Sequence, residues 1–230
     1  MMKALLCHEF GSTENLKLTT AESPKPQKGQ LVISVKACGV NFPDSLIIHN
    51  KYQFKPNLPF APGGEVAGIV KEIGEGVEHL KVGDRVFSLT GWGGFAEEVL
   101  ADGYKTLPIP EGMDYITAAT TMYTCGTSLH ALKQRAQLKE GETLLVLGAA
   151  GGVGLAAVQI GKLMGAKVIA AASTDEKLEL CKTKGADEVI NYRTEDLRER
   201  IKALTDNQGV DVIYDPVGDR FSEPAVRSLA

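Results

Sequence analysis

The chain has 230 residues, enough for one large domain or two small ones with a substantial core. Hydrophobic residues make up 43% and charged residues 23%, ordinary globular proportions, and a net charge of -4 gives no ground for a nucleic-acid or anionic-membrane partner. No apolar run approaches the ~20 residues of a spanning helix. The opening M-M-K-A-L-L-C is too short for a signal peptide, with Glu9 close behind. Cys7, Cys38, Cys125 and Cys181 lie far apart with no C-x-x-C. Neither a zinc knuckle nor a local redox pair is indicated, and a cytoplasmic location is expected.

The part up to about Met122 reads as short strands and turns. Met2 to Cys7 predicts a strand and Phe10-Gly11-Ser12 a turn. Pro24, Pro26 and Gly29 mark a loop before Gln30 to Ala37. There Leu31, Ile33 and Val35 alternate with Val32, Ser34 and Lys36, the pattern of a half-buried strand. Asn41 to Ile48 predicts a short helix with Pro43 in its first turn. After the interruptions at Pro56, Pro59 and Pro62, further strands are expected within Pro62 to Val77, over Lys81 to Val86 and over Phe95 to Leu100. Gly91-Trp92-Gly93-Gly94 forms a loop between the last two. Strands joined by glycine turns fit a small barrel-like domain.

The second part turns on Thr143 to Gly154, T-L-L-V-L-G-A-A-G-G-V-G. The short apolar run bounded by Gly141 and Gly148 predicts a buried strand, and Leu155 to Met164 has helical composition. In a G-x-G-x-x-G frame Gly151 and Gly154 take the last two places and Ala149 the first, with Gly148 and Gly152 flanking. Such a turn brings a pyrophosphate against the backbone, with N–H donors from Gly152 and Val153 at the helix start. By itself the turn also fits a strand-to-helix connection with no ligand. Strands are next expected at Lys167 to Ala172, Asp187 to Asn191 and Val210 to Tyr214, with helices over Asp175 to Lys184 and Thr194 to Leu204. That alternation implies right-handed βαβ units on a parallel sheet.

The second strand ends at Ala172 and Ser173, where NAD-binding proteins carry an acid for the ribose hydroxyls. Asp175 and Glu176 come later, at a helix start, where capping accounts for them. Without a carboxylate at the strand end a 2′-phosphate meets no repulsion. Lys177 can reach back toward it, though a solvated helix lysine is the plain alternative.

Four motifs occur here in the order found in medium-chain dehydrogenases/reductases: P-G-G-E-V-A-G-I-V (62–70), V-G-D-R-V (82–86), G-G-F-A-E (93–97) and G-A-A-G-G-V-G (148–154). The chain most resembles their zinc-free quinone oxidoreductase branch, the zeta-crystallin-like proteins. The resemblance implies an α/β plus β architecture: a GroES-like barrel domain over residues 1–122, then an NADP-binding Rossmann domain over 123–230. It also implies that the chain stops short of the last Rossmann strands, and that an intact protein is a homodimer. Zinc-dependent relatives place metal ligands where this chain has Asn41, Gly64 and Thr121 or Met122, and carry a cysteine-rich loop where it has no cysteine. His8, His49, His79 and His130 stand apart from one another, so no metal site is expected.

The resemblance adds Tyr192 as a second phosphate contact and Thr127 close to the nicotinamide. Read plainly, these are a half-buried strand-end tyrosine and a helix threonine. His130 stands where a tyrosine is common in this branch. The implied chemistry is hydride transfer from NADPH to a quinone or enone. Asn41 would hydrogen-bond the nicotinamide or substrate carbonyl, Asp44 would orient the loop, and Tyr52 would donate to the oxygen that becomes negative. Their plain readings are turn formation, charge at a helix N-terminus and partial burial. An enoyl or alkenal double-bond reductase, including enoyl-CoA forms, would use the same cleft, and a non-catalytic NADPH-binding protein the same nucleotide site.

Overall fold

β3 (Gln30–Gly39) is the strand around which the first part of the chain is built. Its inward residues Leu31 and Ile33 are buried with Val66, Val70, Val86 and Val99 from the neighbouring strands. β3 pairs antiparallel with β4 (Glu65–Ile73) on one side and β6 (Glu98–Asp102) on the other. β5 (Arg85–Leu89) and β7 (Thr106–Pro108) complete a five-stranded sheet in the order β6-β3-β4-β5-β7. β1 (Met2–Cys7) and β2 (Leu16–Ala21) form a separate antiparallel pair. In a computed structural model, which describes residues Met1–Ala230, the chain divides into two units, Met1–Tyr123 and Thr124–Ala230.

In the first unit two strands sit later than the apolar pattern predicts, because backbone groups are committed elsewhere. Lys81 to Asp84 form a turn in which Asp84 Oδ2 accepts from the Lys81 N–H, so β5 begins only at Arg85. The Phe95 N–H donates to the Pro62 carbonyl and the Glu97 N–H to the Lys3 carbonyl, which delays β6 to Glu98. The short helix α1 (Phe42–Ile48) starts after Asn41, with Pro43 inside its first turn as expected. Tyr115 to Arg135 is largely helical: α2 (Tyr115–Ala118), a π-type turn at Met122–Gly126, α3 (Thr127–Leu129) and a second π-type turn at His130–Arg135.

The second unit is a four-stranded parallel sheet. β8 (Thr143–Leu147) lies between β9 (Lys167–Ala172) and β11 (Val212–Tyr214), with β10 (Glu188–Asn191) at the edge. The order β10-β9-β8-β11, counted from the first strand of this unit, is the 3-2-1-4 arrangement of a Rossmann sheet. α4 (Gly152–Leu163), α5 (Asp175–Thr183) and α6 (Leu197–Leu204) are the crossover helices, and α7 (Ser222–Val226) follows β11. α6 starts at Leu197, later than Thr194, because Asp196 caps it by accepting from the Glu199 N–H at 2.9 Å.

β8 is buried on both faces. Leu144 and Val146 pack with Val158 and Val168, while Leu145 and Leu147 pack with Ile169, Ile190 and Ile201. That is why its sequence is continuously apolar instead of alternating. Each fully buried leucine contributes about 1.5–3 kcal/mol, offsetting the entropy lost in ordering the chain. The consequence is a rigid strand end at Leu147, from which the glycine turn departs.

Candidate functional site

In the first unit the site grows from the start of α1. Asp44 is buried, and its Oδ2 accepts from the Asn41 N–H at 2.7 Å while Oδ1 accepts from the Gly63 N–H at 2.9 Å. One carboxylate thus ties the helix start to the loop before β4. Burial raises the Asp44 carboxyl above its usual range, against the opposing pull of N–H groups at Asn41, Gly63 and Gly64.

Asn41 Nδ2 donates to Glu65 Oε2 at 3.1 Å. Glu65 is fully buried, and its Oε1 accepts from the backbone N–H groups of Met122 and of Tyr123, the latter at 3.1 Å. Burial raises its carboxyl, the N–H of Tyr123, the Asn41 amide and the N–H of Met122 pull it back, and Asp44 adds repulsion. An ionised carboxylate only accepts, so this contact fixes the Asn41 amide with Nδ2 toward Glu65 and Oδ1 turned away from it. Glu65 and Tyr123 are absent from the residues that sequence reasoning selects. The signal for Glu65 was an acid opening the apolar strand E-V-A-G-I-V, where an unpaired charge is too costly to bury. For Tyr123 no local signal exists.

Gly64 occupies one place where zinc-dependent relatives have a ligand, and no larger residue fits there. A Cβ on it would lie 2.7 Å from the Tyr123 hydroxyl oxygen and 2.8 Å from the Gly91 carbonyl oxygen. At the other places the Asn41 amide is engaged with Glu65, and the Thr121 hydroxyl donates to the Thr117 carbonyl. No group of three or more His, Cys, Asp or Glu side chains is placed to hold a metal ion. The Cys38 thiol beside this loop is pushed up to about 12, chiefly by burial and then by Asp44, so it is a packing group and not a thiolate. His49, His79 and His130 contact the Ser45 carbonyl, the Thr106 carbonyl and the Gln134 side chain.

A cleft of about 530 Å3 opens beside these residues, within the first unit. Ile47, Tyr52, Phe54, Trp92 and Tyr123 give it apolar and aromatic walls, with Lys105 at one side. The Tyr52 ring meets Phe54 edge-on at 6.1 Å, which sets its orientation. Lys105 is paired with Asp102 at 3.2 Å. Asn41, Asp44, Glu65, Tyr52 and Tyr123 are therefore neighbours, drawn from α1, the loop after it, β4 and the helical segment near 122.

In the second unit β8 ends in the glycine turn. Ala149 is buried and its N–H donates to the Ala171 carbonyl, so a small side chain suits this place in the frame. Gly154 has no room for a side chain: a Cβ would lie 2.4 Å from the Gly148 carbonyl oxygen. Gly151 and Gly152 are exposed, and no side chain caps α4, so N–H groups of its first turn, including that of Val153, remain open to an anion. The buried Ser128 hydroxyl donates to the Val153 carbonyl at 2.8 Å and meets the Tyr214 hydroxyl, holding the turn from behind. Thr127, next to it, is exposed.

At the end of β9 the Lys177 ammonium donates to the Ser173 hydroxyl at 3.3 Å, and Thr174 caps α5 through the Lys177 N–H. Asp175 is occupied by the Asn191 amide at 2.7 Å. The Tyr192 N–H donates to the Ala172 carbonyl, and its ring packs on Phe221 at 4.3 Å. Ser173, Lys177 and Tyr192 thus gather at one corner of the sheet, on the side where the glycine turn leaves β8.

Residues 27–111 match the alcohol dehydrogenase GroES-like domain, and residues 152–230 match the family described as zinc-binding dehydrogenase. Quinone oxidoreductase of Rattus norvegicus is 40% identical over 222 residues, covering 96% of this chain and 68% of that protein. The chain belongs to the quinone oxidoreductase family of medium-chain dehydrogenases/reductases. An Escherichia coli quinone oxidoreductase solved in complex with NADPH matches 99% of the chain and 70% of its own at 34% identity, with a TM-score of 0.93. The CurK enoyl reductase matches 100% and 71% at 29% identity, with a TM-score of 0.92. The chain spans about two thirds of the length of the curated relatives it matches. The five-stranded sheet and the four-stranded parallel sheet are the GroES-like and Rossmann parts of this family's architecture.

Proposed function

We propose that this chain is an NADPH-dependent reductase that acts on a quinone or a similar electron-poor conjugated carbonyl without a metal. The observation that carries the reading is the set of groups around Asn41 and Gly64. Where a metal-dependent dehydrogenase needs soft or imidazole donors, this chain has an engaged amide, a glycine with no room for a ligand, and tyrosines facing an apolar cleft. Without a Lewis acid an alkoxide has no strong stabiliser, so oxidation of a simple alcohol is disfavoured and an acceptor already poor in electrons suits the site.

NADPH, when bound, supplies the hydride. In this reading the open N–H groups at Gly152 and Val153 hold the pyrophosphate, helped by the N-terminal dipole of α4. Lys177, Ser173 and Tyr192 receive the 2′-phosphate, and Thr127 borders the nicotinamide. Asn41 presents its Oδ1 to the reacting groups, Asp44 keeps that loop in place, and Tyr52 lines the acceptor cleft. The aromatic walls exclude water and favour a flat acceptor.

The likeness to an enoyl reductase supports a second reading, reduction of a carbon–carbon double bond conjugated to a carbonyl. Steady-state NADPH oxidation with a 1,4-benzoquinone, an α,β-unsaturated aldehyde and an enoyl thioester separates the two. Turnover confined to the enoyl thioester would replace the quinone reading, and no turnover with any acceptor would remove both.

A further inference from the structure

The Tyr123 hydroxyl is a donor open to the cleft. Its backbone N–H is held by Glu65, whereas burial and nearby charges, with no hydrogen bond, act on its phenol. The ring lines the apolar cleft, and the hydroxyl lies 2.7 Å from where a Cβ on Gly64 would sit. It therefore fills the space that the missing side chain at 64 leaves, at the wall of the cleft. A phenol at the wall of a cleft can donate to a ligand that enters it. Among the other polar groups of the cleft, Lys105 is paired with Asp102 and the Thr90 hydroxyl leans on the Gly63 carbonyl, which leaves the Tyr52 hydroxyl as the rival donor.

We propose that Tyr123 is a catalytic residue, its hydroxyl donating a hydrogen bond to the carbonyl oxygen of the acceptor as that oxygen becomes negative. The inference rests on the reductase reading above. The acceptor gains two electrons and one proton as hydride, its carbonyl oxygen becomes an oxyanion, and water supplies the second proton. Tyr123 stabilises the oxyanion without surrendering its own proton. Its phenol is pushed up to about 12 by burial and by the charges of Asp44 and Glu65, whereas an ordinary phenol ionises at about 10. The proton thus stays on Tyr123 and the interaction is a donated hydrogen bond. Asp44 and Glu65 would oppose an oxyanion nearby, but each is already turned toward its own N–H donors.

The test uses Tyr123→Phe, with Tyr52→Phe as comparison and Gly64→Ala as an independent probe that pushes on the hydroxyl. kcat/KM for a 1,4-benzoquinone should fall roughly 10- to 100-fold in Tyr123→Phe, the loss expected for one hydrogen bond to developing charge, with NADPH affinity unchanged. Gly64→Ala, if its melting temperature shows it folded, should lose activity in the same direction. Binding of 4-nitrophenolate, a flat aromatic oxyanion, should weaken roughly tenfold in Tyr123→Phe, and by more than in Tyr52→Phe. Equal binding and equal turnover in wild type and Tyr123→Phe would overturn the proposal, as would a loss confined to Tyr52→Phe or a wild type that binds no 4-nitrophenolate. Tyr123-dependent binding of the probe by a protein that oxidises no NADPH would support the donor site and refute the reductase reading.

Discussion

Replacing Glu65 by Gln probes the buried centre of the site. The carboxylate takes three donors, and both oxygens act as acceptors. In Glu65→Gln the amide oxygen keeps the Met122 and Tyr123 N–H groups, and the new NH2 faces the Asn41 NH2. Two donors cannot pair, so Asn41 must turn and offer Oδ1 inward. One charge-assisted hydrogen bond is worth about 1.5–3 kcal/mol, and relief from burying a charge returns part of it, leaving a net cost of about 1–2 kcal/mol. Asn41→Asp alone sets two carboxylates against each other and costs a similar amount, about 1–2 kcal/mol. Together the changes restore complementarity, since the carboxylate introduced at position 41 accepts from the amide NH2 introduced at position 65. The double variant should therefore be at least about 1 kcal/mol more stable than the sum of the single effects predicts. Trp92, the sole tryptophan, lies in the first unit and reports its urea unfolding by fluorescence. Strictly additive effects would refute the assignment of the Asn41 amide to Glu65.

Other outcomes follow from the second unit. Gly154→Ala puts a methyl 2.4 Å from the Gly148 carbonyl oxygen, so the turn must open; a stability loss of about 1–3 kcal/mol and at least about tenfold weaker NADPH binding are expected by denaturant melts and fluorescence titration. Lys177→Ala should weaken NADPH roughly 10- to 100-fold and leave NADH unchanged, measured by the same titration. Asp215 is drawn below its usual value of 3.8: burial alone would raise it, but the Ser222 hydroxyl and the N–H groups of Gly218 and Val217 outweigh that. The stability it contributes is complete above 3.8 and is lost as pH falls through the lower folded value. Asp215→Asn should thus cost about 1–2 kcal/mol at neutral pH and progressively less below that window, read from urea melts across acidic pH.

The parallel sheet was legible because its short apolar strands alternate with helices of about ten residues, whereas the order of the four strands followed from the Rossmann resemblance. Asp44 was legible as well, standing three residues after Asn41 at a helix start, where a carboxylate binds back to the backbone. Glu65 and Tyr123 were not. Glu65 meets donors 57 and 58 residues away, and the Tyr123 hydroxyl gains its meaning by filling the space that a side chain at Gly64 would take. Contacts across such separations leave no periodic trace. The strand starts at Arg85 and Glu98 were displaced for a related reason: single backbone bonds to distant loops override a local apolar pattern.

Metal-free hydride transfer is tested most directly by a single-turnover reaction of the chelator-treated protein with NADPH and a 1,4-benzoquinone, followed by loss of the reduced nicotinamide absorbance. Oxidation well above the protein-free rate is expected, faster with NADPH than with NADH, and unaltered by added zinc. Oxidation that appears only on adding zinc, or a rate no different from the protein-free control, would contradict it.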